Sequence, residues 1–293
     1  MELQQMRYVL AVAETGSFTK AARQCLVVQS ALSHQIARLE RSLGARLFER
    51  TSRSVRLTPA GAAFLPAARQ CLEFAERAVA EVAAAVGQVR GKVVVGVIPT
   101  VAAVDLPAAL RVFRERYPDV RVALRMLSSL EMVRLVREGS LDLAFLGLPP
   151  GVTPEGVRVR ELDRDDHVAV VAAGHRFARR ARVTLGELAE EQFADFPVSS
   201  PGRTQSDQAF AGAGLHREVA YEVTTAELMA GLIREELAVA VLPAKYTPQL
   251  TGVVTVPIVD GPSRVEHLVW SSGGLTPAAA AFLDVLGVSP RSP

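Results

Sequence analysis

The sequence predicts an α/β protein in three parts: an N-terminal winged helix-turn-helix, a long linker helix, and a two-lobed α/β domain. Three observations predict it. Residues 16–61 (GSFTKAARQCLVVQSALSHQIARLERSLGARLFERTSRSVRLTPAG) carry helical patterns around a tight turn and then a basic hairpin. Apolar residues next recur at steps of 3 and 4 from Leu65 to Val86. From residue 93 onward, short apolar runs alternate with amphipathic ones, the signature of strand–helix–strand units. A length of 293 residues suits about two domains, and the expected boundaries are 1–58, 59–90 and 91–293.

In the first part, Leu3, Met6, Val9 and Leu10 keep a helical period up to Gly16. Ser17 is an N-cap for a second helix from Phe18 to about Cys25, in which Ala21 and Ala22 let two helices cross closely. A third helix runs from about Gln29 to Leu43. Leu32, Ile36, Leu39 and Leu43 share one face, and Gln29, Ser30, Ser33 and His34 share another. The helix-turn-helix is expected to span Phe18 to Ala37, and such a motif puts the polar first turn of its second helix into the DNA major groove. Gln pairs bidentately with adenine, Ser donates or accepts, and His donates to guanine. In the hairpin 47–58, Leu47 and Phe48 are anchors, and Val55 and Leu57 alternate as a strand. Arg50, Arg53 and Arg56 are thrown outward, where Arg suits phosphates or a narrow minor groove. Charge agrees: residues 1–58 hold nine Lys/Arg against four Asp/Glu, net +5, while the whole chain is +2.

These residues resemble the LysR-type bacterial transcriptional regulators. The resemblance is carried by GSFTKAA, QSALSHQIARLE, LGARLFER and VRLTPAG, all within the first 61 residues, and it extends over the full chain. It implies that Gln29, Ser30, Ser33 and His34 read bases and that Arg53 serves the wing. It also implies a pseudo-palindromic double-stranded DNA operator, a homodimer or dimer of dimers, a small-molecule effector, and an RNA polymerase contact. Two positions depart from the family pattern. Val28 stands where Ser or Thr is usual, removing an N-cap worth about 1 kcal/mol. His34 stands where Arg is frequent, which alters the base preference expected there.

Thr58-Pro59 signals the start of the linker helix, with Thr as N-cap and Pro at the first helical position. The helix should reach about Gly87. Leu65, Ala68, Leu72, Ala75, Val79, Val82 and Val86 form an a/d stripe. Such a stripe on a helix about 40 Å long needs cover, and a dimer seam through Leu65, Leu72, Val79 and Val86 is expected, since two half-sites need two readers.

Residues 88–92 read as a hinge. Strands are expected at 93–98, 120–127 and 141–146, with helices at 107–116 and 130–138 between them. A second set follows: strands at 167–172, 196–199, 218–223 and 238–242, and helices at 185–190, 206–213 and 226–235. Residues 265–271 should return as a strand to the first lobe, under a terminal helix at 277–286. The lobes then comprise 91–161 with 267–293, and 162–266. Two α/β lobes joined by two crossing strands resemble the periplasmic-binding-protein architecture of LysR-type sensors.

Ligands of open α/β sheets sit at the C-terminal ends of strands, near helix N-termini. Those positions carry Thr100, Ser128, Ser129, Ser199, Ser200, Gly202, Arg203, Thr224 and Thr225. Singly, each hydroxyl suits ordinary capping; together they suit a polar or carboxylated metabolite. Arg203 fits either an anion clamp or a surface salt bridge. Glu236-Leu237-Ala238 replaces the family's Gly-Leu-Gly, and Glu236 would disfavour an anion if it pointed inward. The Arg-rich run 176–182 reads as a solvated loop.

Other classes find no support. There is no G-x-S-x-G, H-E-x-x-H or phosphate loop, so an enzyme is not expected. Cys25 and Cys71 are too few for a disulfide frame or a zinc site, and neither lies in the lobes, so a redox sensor is not expected. No metal or cofactor is expected. The N-terminal residues lack the features of an export signal, and no apolar run suits a bilayer, so a cytoplasmic location is expected.

Overall fold

A computed structural model describes residues 1–50, 55–198 and 200–289. Arg53 and Ser199 lie outside the described residues, as does the side chain of Arg50. The chain forms two compact units, Met1–Gly87 and Gln88–Pro293.

The first unit contains α1 (Leu3–Thr15), α2 (Phe18–Gln24), α3 (Gln29–Leu43), β1 (Phe48–Arg50), β2 (Val55–Leu57) and α4 (Pro59–Ala85). Gly16, at φ +61°, closes α1, and the Ser17 hydroxyl caps α2 by accepting from the Lys20 N–H. The helix-turn-helix expected from Phe18 to Ala37 starts where α2 starts, but Ala37 marks no structural boundary. It is a half-buried residue inside α3, which runs on to Leu43 because the left-handed stop comes only at Gly44.

Val9, Val12, Ala21, Leu32, Ile36 and Leu39 are fully buried in the core, where Phe18 meets Phe48 edge-on at 5.7 Å. Leu43 does not join them: it is 40% exposed, because α3 stops at Gly44 just beyond it. The β1–β2 hairpin pairs Phe48 with Leu57 and Glu49 with Arg56. Glu40 of α3 holds its base, accepting from the N–H groups of Leu47 at 2.8 Å and Phe48 at 3.3 Å. Gly61 has no alternative, since a Cβ there would lie 2.1 Å from the Leu47 carbonyl oxygen.

The apolar stripe of α4 divides in two. Leu65 and Leu72 were expected in a dimer seam, but they are buried inside this unit. Leu65 joins the three-helix core, and Leu72 packs with Ala68 and Met6, flanked by Leu10 and Phe64. The reason is that α1 already offers an apolar ridge to the first turns of α4. Val79, Val82 and Val86 find no such ridge and are 59%, 70% and 73% exposed.

The second unit runs β3 (Gly91–Val97), α5 (Leu106–Arg116), β4 (Val120–Met126), α6 (Ser129–Arg137), β5 (Leu143–Leu148), β6 (Val157–Val171), α7 (Leu185–Leu188), β7 (Gln192–Asp195), α8 (Pro201–Gly212), β8 (Glu218–Glu222), α9 (Ala226–Arg234), β9 (Ala240–Pro243), β10 (Val254–Pro257), β11 (Ser263–Ser271) and α10 (Pro277–Val285). β3 lies parallel to β4 and β5, as crossover connections require. β11 runs antiparallel to β5 and to β6. Beyond that pairing, β6 continues against β9 and β10, so one strand serves both halves of the sheet.

Three expectations are corrected. The strand placed at 167–172 begins ten residues earlier, at Val157, because the charged stretch from Arg158 to Asp166 pairs with β11. The strand placed at 196–199 is β7, ending at Asp195, and the helix placed at 206–213 starts at Pro201 because Ser200-Pro201 is a cap and first-turn pair. β10 was not expected; it covers the edge of β6.

Candidate functional site

The first candidate surface is the start of α3. Gln29, Ser30 and His34 are exposed and Ser33 is half-buried, whereas Leu32, Ile36 and Leu39 on the opposite face are fully buried. Packing therefore fixes the helix by one face and leaves the other outside the core. Val28 adopts the extended N-cap conformation, forms no side-chain cap bond and is 69% exposed. Before it, Leu26 takes φ +56° in the turn and is 93% exposed.

The second is a cavity of about 370 Å³ in the C-terminal unit. Segments following β3 and β4 line one side, and the starts of α8 and α9 line the other. Thr100, Ser128, Ser129 and Thr225 all line it, so four of the six expected residues come together. Their hydroxyls already hold the protein to itself. Ser128 accepts from the Glu131 N–H and Thr225 from the Leu228 N–H, each at 3.3 Å. Ser200 does the same for the Arg203 N–H on α8. The fully buried Ser129 hydroxyl bonds both the N–H and the carbonyl of Gly147, locking α6 to β5. What three capped helices still offer the cavity is the remaining first-turn N–H groups, which have no intrahelical acceptor.

Arg203 does not line the cavity. Its guanidinium bonds Asp207 at 2.9 Å and the Phe196 carbonyl at 3.3 Å, with its side chain only 13% exposed. Arg217 shares Asp207 and also bonds Asp195 at 2.6 Å, stacked over Phe193 and Phe210. The anion-clamp reading of Arg203 thus gives way to the salt bridge, which is largely buried and belongs to an ion network. Glu236 is exposed, packs over Gly174 and is absent from the cavity lining. It does not reshape the pocket. In the basic run, Arg176 pairs with Glu190 and Glu191, and Arg180 with Glu187.

Residues that the sequence reading missed make the floor. Arg264 on β11 is buried and donates to the Thr100 hydroxyl at 2.7 Å, to the Thr100 carbonyl at 2.8 Å, and to Glu266. Glu266 also accepts from the N–H groups of Ala102 and Ala103. Asp165 lies 3.8 Å from Arg264 and accepts from the Lys245 N–H. Burial pushes the Glu266 and Asp165 carboxyls up and the Arg264 guanidinium down. Burial and the Arg264 charge bring His167 down to about 3, so it is neutral. Its Nδ1 faces the Pro262 carbonyl at 3.1 Å. A carbonyl only accepts, so Nδ1 carries the proton and Nε2 is left as an acceptor. The available signal was Arg264-Val265-Glu266: two opposite charges two residues apart in a strand that otherwise carries Val265, Leu268, Val269 and Trp270.

Among the described residues, no group of His, Cys, Asp and Glu is arranged to hold a metal, and no helix is long and apolar enough to cross a membrane.

Comparison with known proteins covers both units. Residues 3–62 match the bacterial regulatory helix-turn-helix model of the lysR family, and residues 87–288 match the LysR substrate binding domain. The chain is 32% identical to the transcriptional regulator TfdS of Cupriavidus pinatubonensis, over 97% of each chain. It is 33% identical to the transcriptional dual regulator GltC of Bacillus subtilis, over 97% of this chain and 96% of that one. Among solved structures, full-length CbnR in complex with its target DNA superposes with a TM-score of 0.74 at 26% identity, covering 98% of this chain and 99% of that one. This chain therefore belongs to the LysR family of DNA-binding transcriptional regulators, with an N-terminal helix-turn-helix domain and a LysR substrate binding domain.

Proposed function

We propose that Gln29, Ser30, Ser33 and His34 read operator bases and that a small molecule in the cavity controls the regulator. The observation that carries the first part is the divided burial of α3, which leaves a polar first turn outside the core. Arg50 and Arg53 supply phosphate contacts from the wing. The operator is pseudo-palindromic because a symmetric dimer presents two such helices. The dimer forms along the exposed stretch of α4, around Val79, Val82 and Val86, and a dimer of dimers builds on it. Control of promoters in the cytoplasm brings RNA polymerase within reach as a further partner.

The effector is a small molecule with an apolar body and a polar or carboxylate head. Ile98, Met126, Leu127, Phe196 and Leu242 supply apolar wall, and the N-termini of α6, α8 and α9 supply N–H donors. Arg264 is the one cation lining the cavity among the described residues, and Glu266 already neutralises it. The head is therefore held by N–H groups and not by a guanidinium clamp. A ligand touching both sides binds one lobe arrangement better than another, and that difference sets the size of the switch.

Selection of bound sequences from random DNA tests the reader: it should return one two-fold motif, and a pool without enrichment refutes base reading. The dimer is tested by light scattering. Val82→Glu should yield monomers with an intact fold, whereas Leu72→Glu should destabilise the first unit. Val82→Glu dimers would place the seam elsewhere.

A further inference from the structure

We propose that Leu26 and Val28 form an apolar pair that takes the 5-methyl groups of operator thymines, adding thymine recognition to the polar reading by α3. The inference deepens the base-reading proposal above and rests on it. Residues 26–28 lead from α2 into α3, and they alternate. Val27 packs against the first unit's core, while Leu26 and Val28 are 93% and 69% exposed. Leu26 sits where α2 ends in a Schellman turn. Its N–H bonds the Arg23 carbonyl, the Val27 N–H bonds the Ala22 carbonyl, and Leu26 itself stands at φ +56°. Glycine or asparagine suits that left-handed position, and a leucine is held there against its steric preference. Burial does not offset the strain, since the side chain stands in solvent. Val28 is the parallel case. It occupies the N-cap of α3 and forms no cap bond, where a serine would cap the helix.

Neither residue serves the stability of the first unit, and both leave branched apolar side chains next to Gln29 and Ser30. What covers them follows from that place. The N-terminal residues of a recognition helix lie against base edges in the major groove, and Val28 directly precedes Gln29, so the apolar pair continues the reading face. Phosphates ask for a charge or a hydrogen-bond donor, and neither side chain has one to give. The groove edges of guanine, adenine and cytosine present donors and acceptors, whereas thymine adds a methyl group. An apolar side chain against a polar edge strips its water and returns no hydrogen bond. Against the thymine methyl it removes two apolar surfaces from water at once.

The test uses the full chain and the operator returned by selection from random DNA, with deoxyuridine placed at each thymine in turn. Deoxyuridine pairs as thymidine does and lacks only the methyl group. Affinity should fall about fourfold at a thymine of one half-site, and about fifteenfold when both half-sites are changed. In the double variant Leu26→Asn/Val28→Ser, thymine and uracil operators should bind alike at those positions. That variant should melt no lower than its parent, because Asn accepts the left-handed turn and Ser caps α3. Three results overturn the proposal. One is an operator in which no thymine methyl counts, and another is a methyl effect that persists in the double variant. The third is a melting temperature lowered by about 5 °C or more, which would show both side chains packed within the first unit. Gln29→Ala separates the two levels. If it binds operator and random DNA as the parent does, the base reading itself fails. If it loses the operator alone while uracil is tolerated throughout, base reading stands and only the apolar pair is removed.

Discussion

The polar face of α3 and the cavity share Ser, Gln and His but use their polar side chains to opposite ends. On α3 they stand on the side of the helix away from the core, and Gln29, Ser30 and His34 are exposed. In the cavity Ser128, Ser200 and Thr225 are caps, Ser129 is a cross-link, and Thr100 holds Arg264. A surface reader is made by keeping side chains out of the core; a cavity is made by using nearly all of them to hold its walls. Substitution should therefore affect recognition alone in the first region and stability in the second.

The largest effect is expected at the cavity floor. Arg264→Met leaves Glu266 and Asp165 buried without their cation, which should cost about 3–5 kcal/mol in urea unfolding. A loss below about 1 kcal/mol would mean that the floor is open to water and as tolerant as a surface. Next comes pH. His167 has a folded value of about 3 against an ordinary 6.5. Its neutral form is the folded one, so its contribution is complete above pH 6.5 and declines as pH falls toward 3. The slope is about 1.4 kcal/mol per pH unit, or roughly 2 kcal/mol between pH 6.5 and 5. Stability of His167→Gln should fall less steeply over that range; equal slopes would show that the imidazole is solvated.

On α3 the expectation reverses. Gln29→Ala should cost about 1–3 kcal/mol for the specific operator, with random-sequence affinity and urea midpoint unchanged. Equal loss on both DNAs would make Gln29 a backbone contact. The smallest effect is at Val28. Val28→Ser restores the missing cap and should stabilise the first unit by about 1 kcal/mol, read as a higher melting temperature. An unchanged melt would show that the α3 N-terminus is satisfied without a cap.

The reader was legible because it is local. Gly16, Ser17, the alanine pair and the 4-3-4 spacing of Leu32, Ile36, Leu39 and Leu43 mark helix ends and faces within a few turns. Only Leu43, at the last position, strayed from its expected burial. Thr58-Pro59 marked the start of α4 to the residue. The stripe along α4 was equally plain, but periodicity states that a face is apolar and does not name what covers it. Leu65 and Leu72 went to the first unit's own core because Met6, Leu10 and Phe64 were already there.

In the second unit, hydroxyls after strands correctly marked the cavity, since strand ends and helix starts are set by short-range signals. Arg203 was misplaced in the cavity, and the direction of Glu236 stayed open, because chain position does not give the direction of a long side chain. Asp207 and Gly174 decided those. Sequence by itself determined most of the elements, the exposed polar face of α3 and the strand ends that meet at the cavity, all through interactions within about one helical turn or along one strand. Only the tertiary structure paired Arg264 with Thr100 and Glu266 and buried His167 against Pro262. Each of those outcomes depends on which distant residue arrives within hydrogen-bond reach, and for Thr100 and Arg264 that residue is 164 positions away.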